Sequence, residues 1–82
     1  MRVAAIDLGS NSFHLLVVDA SADGHFVPLA RDKETLRLGD VVARDGRVDA
    51  AGLGKAIATI QRFKTQIDGL GVTELMACAT SA

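Results

Sequence analysis

Two apolar runs rich in strand-forming residues, Val3-Ala4-Ala5-Ile6 and Phe13 through Val18, are separated by only Asp7-Leu8-Gly9-Ser10-Asn11-Ser12. β-branched and large apolar side chains favour strands. A gap this short can join them only as an antiparallel pair, because a parallel connection needs a crossover of a dozen or more residues. The chain is therefore organised around a tight β-hairpin whose tip gathers an acid, a glycine, hydroxyls and an amide.

That tip reads as a phosphate-handling turn. Gly9 accepts a positive φ and lets a ligand approach the backbone. Ser10, Asn11 and Ser12 add short side-chain donors to their own N–H groups, and successive N–H groups in a turn form a concave nest for an anion. Asp7 repels a phosphate directly, but its carboxylate can hold Mg²⁺ against phosphate oxygens, which makes it the metal- or water-positioning candidate. His14, just past the turn, is a further phosphate contact or a structural strand histidine. An ordinary hairpin turn uses the same residue types. A P-loop is excluded, since no Gly-Lys-Ser/Thr occurs and a strand rather than a helix follows the glycine.

The rest of the chain extends the pattern. Strand two runs from about Ser12 to Ala20, and Asp23-Gly24 turns it into a third strand from His25 to Leu29, continued by Arg31 to Gly39. Pro28 lacks an N–H and places that strand at a sheet edge. A polar loop is expected after Gly39, then a helix over 50–68 with Asp49 as N-cap and Gly69 as its stop. Leu53, Ile57, Ile60, Lys64 and Ile67, widened by Ala56 and Phe63, trace the stripe expected to face the core. Lys55, Arg62, Lys64 and Gln66 read as its wet side. Residues 72–79 read as a fourth strand, apolar on consecutive positions from Leu75 to Ala79, the pattern of a strand covered on both faces. The helix is then the crossover that sets strand four parallel to strand one, bringing Thr80 and Ser81 toward Asp7 and Gly9.

Composition adds exclusions. A formal charge of −1, with Arg31, Lys33, Arg37, Arg44 and Arg47 interspersed among acids, gives no field for nucleic acid or a membrane surface and reads as a solvated mixed-charge face. The single cysteine, Cys78, excludes an internal disulfide and reads as a core residue. With no targeting segment and no apolar run near the roughly 20 residues of a bilayer span, a cytoplasmic protein is expected.

The run Asp-Leu-Gly-Ser-Asn-Ser-Phe-His-Leu-Leu-Val over residues 7–17 closely resembles the first phosphate motif of the exopolyphosphatase / guanosine pentaphosphate phosphohydrolase family, a branch of the actin, Hsp70 and sugar-kinase superfamily. Leu36-Arg37-Leu38-Gly39, the helix around 53–68 and Ala77-Cys78-Ala79-Thr80-Ser81-Ala82 are similar to the family's next landmarks in the same order. The resemblance implies an incomplete α/β ribonuclease-H-like (actin-like ATPase) domain: a three-stranded antiparallel meander, a crossover helix and a fourth strand parallel to the first. It implies that residues 1–82 are the N-terminal part of the first domain of a longer two-domain phosphatase. Such enzymes release terminal orthophosphate from inorganic polyphosphate or guanosine pentaphosphate with Mg²⁺. By the same resemblance Asp7 would serve the metal, Gly9, Ser10, Asn11 and Ser12 would cradle phosphate oxygens, and Thr80 and Ser81 would sit on the rim.

The family's carboxylate base, its arginine after Thr-Ser-Ala and its second glycine-rich motif would all follow Ala82. The 82 residues alone are therefore expected to be inert, and a bare sheet face would favour association, as in a homodimer. A nucleotide-dependent kinase or ATPase of the same superfamily, or a non-catalytic polyphosphate or nucleotide sensor, are the other readings.

Overall fold

A computed structural model of the chain describes residues 1–47 and 49–79, and within them the side chains of all but residues 40, 41, 43 and 45. Strand β1 (Arg2–Leu8) pairs antiparallel with β2 (Ser12–Ala20), in a register that sets Leu8 opposite Phe13, Ile6 opposite Leu15 and Ala4 opposite Val17. Alternate residues share a face. These six line one side of the sheet, while Asp7 opposite His14 and Ala5 opposite Leu16 line the other. β3 (Phe26–Thr35) adds antiparallel to β2, and β4 (Glu74–Ala79) adds parallel to β1, giving the order β3-β2-β1-β4. The expected meander, crossover and parallel fourth strand are all present.

Pro28 lies where its missing N–H does least harm, on the margin strand beside an irregularity between Val17 and Val18. The chain then crosses through α1 (Leu38–Asp45) and α2 (Ala50–Gly69). Asp49 caps α2 by accepting from the Gly52 N–H at 2.7 Å. The positive φ at the far end falls on Gly71 (φ 65°), not on Gly69, which is still helical. Beyond it Thr73 N–H donates to Arg2 carbonyl at 3.0 Å and Arg2 Nη1 to Leu70 carbonyl at 2.5 Å, tying the helix exit to the start of β1.

Several further expectations are corrected. The segment after Gly39 is not a loop but the helix α1: Arg37 turns the chain in the left-handed region (φ 53°, ψ 40°), Leu38, Val41 and Val42 fall at helical spacing, and Gly46 (φ 77°) closes it with its N–H on Val42 carbonyl. α2 is rotated from the expected stripe. Ala56, Thr59 and Phe63 are the residues it buries, whereas Leu53, Ile57 and Ile60 stay 56%, 48% and 41% exposed. Small Ala56 and Thr59 allow close approach, with Thr59 Oγ1 satisfied on Lys55 carbonyl at 2.8 Å, and Phe63 fills the space between helix and sheet. β4 is exposed along its length, since it forms the sheet's margin and pairs only with β1. Cys78, on that strand, is exposed rather than core.

The last correction concerns Arg62 and Gln66, read as solvated. Arg62 forks onto Asp32 through Nε (2.8 Å) and Nη2 (3.1 Å), reaches Glu34 with Nη1 (3.0 Å), and Gln66 Nε2 donates to Asp32 at 2.7 Å. This clasp fixes α2 to β3. The Arg62 guanidinium, then Gln66 and the Lys33 N–H, hold the Asp32 carboxyl below its ordinary value of 3.8 against the opposing effect of burial. A carboxyl lowered in the folded state stabilises above its unfolded pKa, and that contribution is lost as pH falls through the folded value. In urea unfolding followed from about pH 6 to about pH 2, Asp32→Asn should therefore lie below wild type at the upper end and converge on it below about pH 4. A gap that stays constant to pH 2 would exclude an ionic clasp.

Candidate phosphate site

At the hairpin tip, Gly9 N–H donates to Ser12 carbonyl at 3.0 Å and closes the turn. The turn is braced from the side by the segment that leads into α1. Leu36 and Arg37 N–H groups both donate to Asn11 carbonyl (2.7 and 2.9 Å), and Gly39 N–H donates to Ser10 carbonyl (2.8 Å). In a trans peptide the C=O and the next N–H point in opposite directions. With the Ser10 carbonyl turned toward Gly39, the Asn11 N–H is turned away from it. No acceptor among the described residues takes the N–H of Ser10 or Asn11.

The turn leaves little space for a side chain at Gly39. A Cβ there would stand 3.1 Å from Asn11 Oδ1 and 3.4 Å from Ser10 Cβ. The side chains of Ser10 and Asn11 thus lean on α1, so the backbone donors, more than these side chains, are what the tip presents outward.

Asp7 lies one residue below the tip, exposed, and its carboxylate has no hydrogen-bond or ion-pair partner among the described residues. It shares an open trough of about 520 Å³ with His14, Leu15, Leu16, Arg31, Asp32 and Lys33, the Asp32 carboxylate being taken up by Arg62 and Gln66. The structure thus brings Asp7 and His14 together, as cross-strand neighbours, with Gly9 to Ser12 at the strand ends just above. Ala79, the last described residue, is the register partner of Leu8. Thr80 and Ser81 lie outside the described residues. Two trough residues were missed from sequence, Arg31 and Lys33, which looked like part of a solvated charge run; the signal was the strict alternation of sign at strand period.

Among the described residues no three or more His, Cys, Asp or Glu converge on one point. A hard cation such as Mg²⁺ needs less, being held commonly by one or two carboxylates plus substrate phosphates. The unengaged Asp7 oxygens fit that donor set. No helix is long and apolar enough to cross a membrane among the described residues.

The sequence profile of the Ppx/GppA phosphatase family matches residues 17–82. Exopolyphosphatase 1 of Mycobacterium tuberculosis (strain H37Rv) is 45% identical over 82 residues, 100% of this chain and 24% of the relative. That of Mycobacterium leprae is 42% identical over the same span. The chain spans about a quarter of the length of these curated relatives. Among solved structures it is similar to the Aquifex aeolicus member of the Ppx/GppA protein family, with a TM-score of 0.88 and 30% identity over 96% of this chain and 26% of that one. An exopolyphosphatase from Cytophaga hutchinsonii gives 0.84 and 28% over 96% and 25%. On the profile match, the shared fold and the relatives' identity over its whole length, the chain belongs to the Ppx/GppA phosphatase family.

Proposed function

We propose that this chain is the N-terminal part of the first ribonuclease-H-like domain of a longer, two-domain cytoplasmic phosphohydrolase that releases terminal orthophosphate from inorganic polyphosphate. The observation that carries this is the braced turn: amides of Ser10 and Asn11 without acceptors among the described residues, just above a carboxylate that none of those residues engages. Such a turn offers hydrogen-bond donors fixed before the substrate arrives, so charge developing on the phosphoryl oxygens is met without reorganisation.

The terminal phosphate would rest on the N–H groups of the turn, with the Ser12 hydroxyl at its side and His14 below. Asp7 would hold Mg²⁺, which supplies charge neutralisation at the phosphate oxygens. By the family resemblance Thr80 and Ser81, which lie outside the described residues, would sit on the rim. Neither glutamate serves as base: Glu34 is engaged by Arg62 on the opposite sheet face, and Glu74 opens β4 at the end remote from the turn. The water-activating group therefore belongs to the longer protein, and these residues alone would not turn over. The exposed Leu75 and Met76 of β4 would favour association, as in a homodimer.

The test is orthophosphate release by the full-length gene product, with long-chain polyphosphate and guanosine pentaphosphate in parallel. Release from polyphosphate that stops when Mg²⁺ is chelated is expected. No release from either substrate with Mg²⁺ present would overturn the reading, and release from guanosine pentaphosphate alone would reassign the substrate.

A further inference from the structure

Strand β3 carries its charges in strict alternation, Arg31, Asp32, Lys33, Glu34. A strand turns successive side chains to opposite faces. The register puts Asp32 opposite Leu15 and Glu34 opposite Phe13, on the side covered by α2, where Arg62 holds both acids. Lys33 opposite His14, and Arg31 opposite Leu16, consequently stand on the open side in the trough with Asp7. Neither cation meets a carboxylate among the described residues. A segment that looks neutral in one dimension is thus sorted by its pleat: the acids are neutralised under the helix and the bases face the trough.

Among the described residues no cation pairs with Asp7, whose own charge opposes an anionic chain. Two strand spacings of about 4.8 Å separate Lys33 from Asp7. A lysine stem and one phosphate group span that gap together.

Resting on the phosphohydrolase reading above, we infer that Lys33, with Arg31 beyond it, binds the phosphate that follows the terminal one, so that the open face of the sheet guides a linear phosphoanhydride chain toward the turn. The ligand class is a run of consecutive phosphates, which inorganic polyphosphate and a nucleotide's phosphate tail both present. A single orthophosphate would occupy the turn alone.

Calorimetric titration of the full-length gene product with polyphosphate of defined length, guanosine pentaphosphate and orthophosphate tests this without requiring turnover. Lys33→Ala should weaken polyphosphate binding about tenfold, the usual scale for one charge-assisted hydrogen bond. It should also reduce the salt dependence of binding by about one charge and leave orthophosphate affinity unchanged. An effect on guanosine pentaphosphate of similar size means that the tail of either substrate uses the track; an effect on polyphosphate alone restricts the track to the inorganic chain. Lys33→Arg should restore most of the affinity and so exclude misfolding as the cause, and Lys64→Ala, which removes a lysine from the solvent side of α2, should bind as wild type. Unchanged polyphosphate affinity in Lys33→Ala, or equal weakening for orthophosphate, would overturn the inference. Turnover separates the two claims: an active wild type with an indifferent Lys33 sinks only the track, whereas an inactive wild type whose polyphosphate binding depends on Lys33 sinks only the hydrolase.

Discussion

Asp7→Asn is expected to lower Mg²⁺-dependent release of orthophosphate from polyphosphate by at least about 10²-fold in kcat, the scale of losing one preorganised charge-stabilising group. The substitution keeps the size and shape of the side chain and removes only its charge. Asp7 is exposed and engages nothing among the described residues, so the folded structure should hardly notice: surface changes of this kind usually stay within about 0.5 kcal/mol. That separation is the value of the experiment. A large fall in kcat with an unchanged unfolding midpoint, and a higher Mg²⁺ concentration needed for half-maximal rate, would assign the carboxylate to the cation. A kcat within twofold of wild type at saturating Mg²⁺ would remove Asp7 from the chemistry and leave the turn as a simple binding element.

The hairpin was legible because its determinants are local. Val3 to Ile6 and Phe13 to Val18 are strand-formers in a fixed phase, and the gap between them leaves one topology. Pro28 located a margin strand through what its backbone cannot donate, and the apolar run ending at Ala79 located the parallel strand, although the burial it suggested on both faces is not what β4 shows. What escaped was everything set by phase between elements. Leu53, Ile57 and Ile60 form as good a stripe as Ala56, Thr59 and Phe63, and periodicity alone could not choose between them. The decision rests with Arg62 and Gln66 meeting Asp32 across 30 and 34 residues of sequence. The trough escaped for the same reason. Charges at 31 to 34 acquire meaning only when the pleat and the helix above it are both known. At the phosphate site the residue types of the turn were readable, but the brace from Gly39 was not, because it depends on a left-handed residue, Arg37, that sequence reasoning assigns to a strand end.

Phe63→Ala should be the most destabilising single change in these residues. Phe63 is fully buried, as is Val17 beneath it in the same core, and truncating a buried phenylalanine costs about 3–5 kcal/mol through lost transfer energy and the cavity left behind. Against the 5–15 kcal/mol of an ordinary domain that is a large share. The expected result in urea unfolding of the full-length gene product is a midpoint shift of that size in the transition that includes α2, with Phe63→Leu losing markedly less. The consequence for function differs from that of Asp7→Asn. Once α2 loosens, the Arg62 clasp releases Asp32 and Glu34, and the alternation on β3 no longer keeps acids and bases apart. Polyphosphate affinity should therefore fall in the fraction of molecules that have opened and recover in parallel with folding when an osmolyte restores the native state, whereas the Asp7→Asn defect should resist that rescue. A Phe63→Ala protein that unfolds within about 1 kcal/mol of wild type would show that the helix is not held by this core, and the sorting of charge on β3 would then need another cause.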